Sequence, residues 1–336
     1  MATIKTEAYD IIIENGSFTR LKSELETFTY GTLFFIIDAK VYKLHYEKIT
    51  RIIQTLAAKI ILVPHGEQSK SFETYRQVIA KLLDKGIKRD DLLIALGGGV
   101  IGDLTGFIAA TLYRGIRFIQ VPTTLLSMVD SSIGGKTAIN LPEGKNLIGA
   151  FYMPKKVLID PLFLKTLPDK EYKSGLSETY KAALLQDATL LQKLKAGHPI
   201  DETIIKQAID VKKTIVAQDP LDEGYRHILN FGHTFAHAIE RRYNFKDITH
   251  GEAVAEGMIM ALKIGVKFNQ TPRGLMEAIE QLFLEKDLVA KPLLDYRDFL
   301  HEIKTDKKMV QDGLNFVFLS DYQKPLIKKI DLRDLS

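Results

Sequence analysis

At 336 residues the chain exceeds one average domain, so two domains are expected. Hydrophobic residues at 46% and charged residues at 26% describe an ordinary globular protein, and a net charge of +4 without clustered Lys and Arg gives no warrant for a nucleic-acid partner. Zero cysteine excludes thiolate metal ligands and a cysteine nucleophile. Met1 to Asp10 lack a secretion-signal pattern and no apolar run approaches the ~20 residues that span a bilayer, so a cytoplasmic protein with no membrane partner is expected.

In chain order, Tyr9 to Ile13 reads as a strand, followed by an Asn15-Gly16 turn and a polar helix. Leu33 to Ile37 is a compact apolar run closed by Asp38, the pattern of a buried parallel strand. Ile60 to Val63 repeats that pattern, and His65-Gly66-Glu67-Gln68-Ser69-Lys70 leads into a helix over 72–85. Leu92 to Leu96 opens onto Gly97-Gly98-Gly99-Val100-Ile101-Gly102-Asp103, and Phe118 to Val121 is followed by Pro122-Thr123-Thr124. Such β–α alternation predicts a doubly wound parallel sheet over residues 1–162. Helical periodicity then dominates 163–336, with helices expected near 174–186, 201–218, 228–242, 251–268 and 273–286 and one late strand at Asn315 to Leu319. No low-complexity linker separates the halves, so two closely packed domains with the active site in the cleft between them are expected.

The glycine loop fits G-x-G-x-x-G at Gly97, Gly99 and Gly102, where missing side chains let backbone N–H groups approach a pyrophosphate. It follows the third strand rather than the first, and no acid lies ~20 residues later to hold a ribose. Asp38 can take that role if the two strands are neighbours. Ser132-Ile133-Gly134-Gly135-Lys136-Thr137 is not a P-loop, because Asp130 stands where that motif needs glycine. A half-buried run remains, rich in polar groups: Thr123, Thr124, Asp130, Ser131, Ser132, Lys136, Lys145 and Asn146.

In the helical half, Lys212 falls on the apolar face of the 201–218 helix, where a lysine either snorkels out or meets an anion. Glu178 and Lys181 sit at i, i+3, a spacing most often seen in surface ion pairs. Wound as one helix, Arg226, Asn230, His233 and His237 form a single polar stripe on an otherwise apolar surface, which suggests a lined site. His233 and His237 at i, i+4 match metal-ligand spacing, but Thr234 replaces the Glu of metalloprotease helices. His250 and a carboxylate would complete an open three-ligand site, and spacing leaves open which two histidines ligate.

These segments together resemble the 3-dehydroquinate synthase family over nearly the whole length. The likeness runs through His65 to Lys70, Gly97 to Asp103, Arg114-Gly115, Pro122-Thr123-Thr124, Asp130 to Lys136 and Gly144 to Phe151. It continues in Gly175 to Lys181, Leu229 to Thr234, His250 to Val254 and Asp306-Lys307-Lys308. The resemblance implies an N-terminal NAD-binding α/β domain and a mainly α-helical, metal-binding C-terminal domain. Glu178, His233 and His250 carry over as ligands of a divalent metal, zinc with cobalt as the alternative. Asp38, Glu67, Lys70, Gly98, Gly99, Val100, Ile101, Gly102, Asp103, Thr123, Thr124, Lys136 and Lys145 carry over to the cofactor. Arg114, Asp130, Lys136, Lys145, Asn146, Lys181, Lys212, Arg226, Asn230 and His237 carry over to the substrate, with one lysine of the Lys307-Lys308 pair. His65, Ala236 and the Thr179-Tyr180 pair depart from common family residues without removing a needed charge.

The implied enzyme is a phosphorus–oxygen lyase of the shikimate route to aromatic amino acids, acting on a sugar phosphate and expected as a homodimer. Another sugar phosphate cyclase would lose part of the basic set that meets a carboxylate. A metal-dependent polyol dehydrogenase would release NADH and need fewer lysines. A non-catalytic NAD-binding regulator would not need Glu178, His233 and His250 intact.

Overall fold

The computed structural model describes residues 2–244, 247–306 and 313–335. Lys307 and Lys308 lie outside the described residues. The chain forms two compact units: Met1–Leu167 with Asp201–Ile209, and Pro168–Ile200 with Asp210–Ser336.

The first unit is built on a seven-stranded sheet. Its strands are β1 (Ala2–Lys5), β2 (Asp10–Ile13), β3 (Leu33–Asp38), β4 (Lys59–Val63), β5 (Leu92–Gly97), β6 (Arg117–Pro122) and β9 (Lys156–Ile159), in the order β1-β2-β9-β6-β5-β3-β4. Only β1 runs antiparallel to its neighbour. Helices α1 (Leu21–Leu25), α2 (Ala39–Leu44), α3 (Tyr46–Thr55), α4 (Phe72–Asp84) and α5 (Gly99–Thr111) connect them. Every residue of β3 and β5 is buried, as expected of central parallel strands covered on both faces. Ile49, Ile52 and Ile53 at i, i+3, i+4 bury one face of α3, and Ser71 caps α4 by accepting the Thr74 N–H at 3.2 Å.

The chain order reverses between β3 and β5: β4 lies to one side of β3 while β5, β6 and β9 proceed to the other. Ligands of open α/β sheets bind at the carboxyl ends of strands flanking such a reversal. Asp38 ends β3 and Gly97 ends β5, so the acid and the glycine loop meet there.

A two-stranded sheet, β7 (Lys136–Leu141) and β8 (Gly144–Phe151), completes the first unit. This hairpin falls where the sequence reads as a polar loop. Leu147 to Gly149 are all exposed, so β8 carries no inside–outside alternation to betray it.

The second unit holds α6 (Asp169–Gln186), α7 (Ala188–Lys195), the later turns of α8 (Glu202–Gln218), α9 (His233–Arg242), α10 (His250–Lys267), α11 (Arg273–Glu285) and α12 (Leu300–Asp306). A hairpin of β10 (Leu314–Asp321) and β11 (Lys324–Ile330) packs with them. α10 packs against α6, α9, α11 and β10. It is buried almost all round from Gly251 to Leu262, which makes it the core helix of the unit. A capping box starts it: Thr249 Oγ1 accepts the Glu252 N–H, and Glu252 accepts the Thr249 N–H at 2.7 Å.

One expectation is corrected here. The helix read over 228–242 does not begin at 228. Tyr225–Asn230 is a 3-10 turn, Phe231 is extended (ψ 120°) and Gly232 is left-handed (φ 83°), so α9 starts at His233. A Cβ on Gly232 would lie 2.7 Å from the Val254 carbonyl oxygen, so both the turn and the close approach of α10 require glycine. Arg226 and Asn230 therefore do not share a helical stripe with His233 and His237.

Candidate active site

In the second unit, three helices bring one carboxylate and two imidazoles together. Glu178 comes from the middle of α6, His233 from the first position of α9 and His250 from the first position of α10. Oε1 of Glu178 lies 3.7 Å from Nε2 of His233 and 3.4 Å from Nε2 of His250. One ligand atom from each residue falls within 4.8 Å of the other two. Bonds of about 2.0–2.2 Å to a tetrahedral zinc place its ligand atoms about 3.4 Å apart. The donor set therefore fits such an ion.

Further observations support that fit. Both carboxylate oxygens of Glu178 are buried; Oε2 pairs with Lys181, while Oε1 faces only the two imidazoles at 3.4 Å or more, a costly state unless charge compensates it. The ring nitrogens turned away from Glu178 are anchored. Nδ1 of His233 faces the Phe231 carbonyl at 3.3 Å, and Nδ1 of His250 faces Oε1 of Glu240 at 3.4 Å. Such outer partners fix the ring and leave Nε2 to bind an ion. The backbone break that shortens the expected helix is also what presents the Phe231 carbonyl.

Burial would raise the carboxyl of Glu178, but Lys181, His250 and His233 hold it well below its ordinary range. Burial, with Lys181 beside it, lowers His233 to about 3, keeping that ring neutral as a ligand must be. Burial also opposes charge on His250, yet the carboxylates of Glu178 and Glu240 outweigh it and push His250 up to about 10. A bound cation would take the place of that proton.

The Glu178–Lys181 pair is not on the surface, contrary to what its spacing suggests. Nζ of Lys181 lies 2.5 Å from Oε2 of Glu178, and both side chains are buried. His237 stands outside the ligand group, exposed, with its ring centroid 5.8 Å from that of His233. Lys212 and Arg226 are buried cations of the same unit. Arg226 donates from Nη1 to the Pro220 carbonyl at 2.8 Å, and Asn230 is exposed.

The first unit carries the second group of residues, around the β5–α5 turn. Gly98 is extended and Gly99 opens α5, whose N-terminus offers a partial positive charge. A Cβ on Gly99 would sit 2.9 Å from the Ser131 hydroxyl, so only glycine leaves that space open. The buried hydroxyls of Thr123 and Ser131 lack hydrogen-bond partners among the described residues. Open backbone, a helix N-terminus and unclaimed hydroxyls fit the phosphates of a dinucleotide. Asp38 accepts the Lys40 and Val41 N–H groups on Oδ1 and faces His65 Nδ1 at 2.8 Å with Oδ2. Lys70, buried, pairs with Asp103 on α5 and donates to Asn146 Oδ1 at 2.5 Å. Glu67 accepts from Asn140 Nδ2 at 2.7 Å. Asp130 sits half-buried in a π turn over Ser127–Ser131, and Lys145 is half-buried, whereas Arg114 and Lys136 are exposed.

Sequence reasoning misses Glu240 and Asn140. A buried glutamate seven residues after His233 on an apolar helix was the available sign of the first. Nothing in local pattern marks the second.

Fold and site define a class: proteins with an α/β unit whose glycine turn fits a dinucleotide and a helical unit whose Glu178, His233 and His250 fit a divalent metal. Comparison with known proteins narrows it. The family model described as 3-dehydroquinate synthase N-terminal matches residues 60–174, and that described as 3-dehydroquinate synthase C-terminal matches 175–309. A 3-dehydroquinate synthase from Clostridium botulinum (strain Alaska E43 / Type E3) is 40% identical over 339 residues, covering 98% of this chain and 97% of its own. One from Campylobacter concisus (strain 13826) is 40% identical over 328 residues, covering 96% and 93%. A crystal structure of 2-deoxy-scyllo-inosose synthase, complexed with carbaglucose-6-phosphate, NAD+ and Co2+, superposes with a TM-score of 0.88 at 26% identity, covering 99% of this chain and 98% of that one. The chain belongs to the 3-dehydroquinate synthase family.

Proposed function

We propose that this chain catalyses the reaction of its family, converting 3-deoxy-D-arabino-heptulosonate 7-phosphate to 3-dehydroquinate and phosphate. The observation that carries this reading is the convergence of Glu178, His233 and His250 in a chain matched by both family models. Net chemistry is redox-neutral: transient oxidation of an alcohol, elimination of phosphate, re-reduction and intramolecular aldol closure. When bound, NAD and a divalent metal, zinc or cobalt, supply a reversible hydride acceptor and acidify the alcohol.

The chain's own residues divide the remaining work. Glu178, His233 and His250 hold the metal, and Glu240 with the Phe231 carbonyl orients the two rings. Asp38, Glu67, Lys70, Thr123, Thr124 and the turn from Gly98 to Asp103 hold NAD, with Lys136 and Lys145 beside them. His237 takes up or relays the alcohol proton. A substrate bearing phosphate and carboxylate needs cations, which Lys181, Lys212, Arg226, Arg114, Lys136 and Lys145 supply, while Asn146, Asn230 and Asp130 orient its hydroxyls. The many lysines, and two family models that name this synthase, favour it over another cyclase or a polyol dehydrogenase. None of the described helices is long and apolar enough to cross a membrane. A cytoplasmic homodimer completes the reading, and it rests on the resemblance.

Incubation with the heptulosonate phosphate, NAD and zinc tests the proposal. Phosphate release without net NADH, abolished by a chelator, is the expected result. Stoichiometric NADH, or no phosphate, would overturn it.

A further inference from the structure

Asn140 lies at the β-bulge of the β7–β8 hairpin, where the register shifts between Ile139 and Leu141. Freed from the ladder, its backbone N–H donates instead to the Lys70 carbonyl at 2.7 Å, and Ser71 forms a parallel bridge with it. Both ends of its side-chain amide are used as well. Nδ2 donates to Oε1 of Glu67 at 2.7 Å, and Oδ1 accepts the backbone N–H of Asn146 at 2.9 Å. The partners fix the orientation of the amide, because a carboxylate only accepts and a backbone N–H only donates. Asn146 itself is held in the left-handed region (φ 57°), a conformation that its captured N–H helps to maintain. Its Oδ1 in turn accepts from Lys70 Nζ at 2.5 Å. The network is therefore closed: Glu67 and Lys70 on one loop, Asn146 on the hairpin, and Asn140 between them.

We propose that Asn140 is a positioning residue that couples the Glu67–Lys70 loop to Asn146, so that one amide sets the geometry of a cofactor-holding and a substrate-holding segment together. This rests on the reading above in which Glu67 serves NAD and Asn146 serves the substrate. No other side chain of similar size donates and accepts at these two points. Aspartate keeps the acceptor for Asn146 but turns a like charge on Glu67. Alanine loses both bonds.

The test is a set of zinc-loaded full-length variants: N140D, N140A, E67Q and the double variant N140D/E67Q. NAD affinity is read by isothermal titration, and kcat at saturating NAD by phosphate release. N140D is expected to weaken NAD roughly tenfold or more while its kcat stays near native, since the Asn146 contact survives. E67Q alone should weaken NAD, as the reading of Glu67 requires, but N140D should cost little further in that background, because a glutamine amide donates to the new carboxylate; a merely structural role for Asn140 would give losses that add. N140A should lower kcat even at saturating NAD. If E67Q alone weakens NAD but N140D binds it like the native chain, or if the two losses simply add, the coupling is wrong and the reading of Glu67 stands. If E67Q binds NAD like the native chain, the reading of Glu67 falls and the coupling falls with it.

Discussion

The two groups of candidate site residues are assembled by opposite means. Around β5 in the first unit, Gly97 to Asp103 are consecutive residues of one strand–turn–helix, and their neighbours Asp38 and Thr123 join from adjacent parallel strands. In the second unit, Glu178, His233 and His250 come from three helices and meet only because those helices pack closely at glycine. A contiguous motif tolerates shifts of its surroundings, because the chain itself sets the spacing. A convergent group inherits every error in packing. Changes at the second unit's contacts should therefore be more damaging than changes of similar size at the first.

Gly251→Ala should have the largest effect. A Cβ there meets the backbone of Ser174, one turn before Glu178 on α6, and the Gly251 N–H already donates to Ser174 Oγ at 2.9 Å. Forcing α6 and α10 apart should cost about 3 kcal/mol. Urea unfolding together with metal analysis checks it: stability and bound metal should fall together. Full metal content in this variant would show that the ligand group does not depend on the contact.

Glu240→Gln comes next. The amide replaces a carboxylate that faces His250 Nδ1 at 3.4 Å, and metal affinity should drop roughly 10- to 100-fold with the fold intact. Chelator competition measures this directly. The matching change in the first unit is milder. Gly99→Ala places a methyl against the Ser131 hydroxyl, the free end of a small side chain, and should weaken NAD about tenfold, or about 1.4 kcal/mol, without touching metal content. Equal damage to metal and NAD in either variant would erase the distinction.

The smallest effect is pH-dependent. Burial raises Glu256 to about 6, despite its acceptance of the Ala290 N–H at 2.6 Å. Between pH 4.5 and 6 the folded chain keeps a proton that the unfolded chain has released. This group's stabilisation is therefore full below pH 4.5 and is lost as pH rises through about 6. Glu256→Gln removes the charge, so it should gain about 1 kcal/mol at pH 8 relative to its difference from the native chain at pH 4. Denaturation midpoints at the two pH values measure that difference, and a loss at pH 8 would contradict it.

What the sequence discloses follows the same contrast. The apolar runs of β3 and β5 and the glycine turn are legible because each is local and periodic. The adjacency of Asp38 to that turn is legible only as a condition, which the β3–β5 pairing satisfies. In the second unit, the 3.6-residue pattern runs through Gly232 as if it were any residue, and so joins Arg226 and Asn230 to a helix they are not on. Spacing left His233, His237 and His250 as alternatives; the meeting of His233 with His250 and Glu178 is a property of three-helix packing. Glu240 and Asn140 escaped for a related reason. Each acts through a partner on another element, Glu240 on His250 at the start of the next helix and Asn140 on Glu67 across the fold.

The division of labour between the units is the claim most open to a direct measurement. Metal content and NAD affinity of His250→Ala should be determined on the same preparation, by elemental analysis and isothermal titration. Loss of the metal with NAD affinity close to that of the native chain is the predicted result. Loss of both, or retention of the metal, would contradict it.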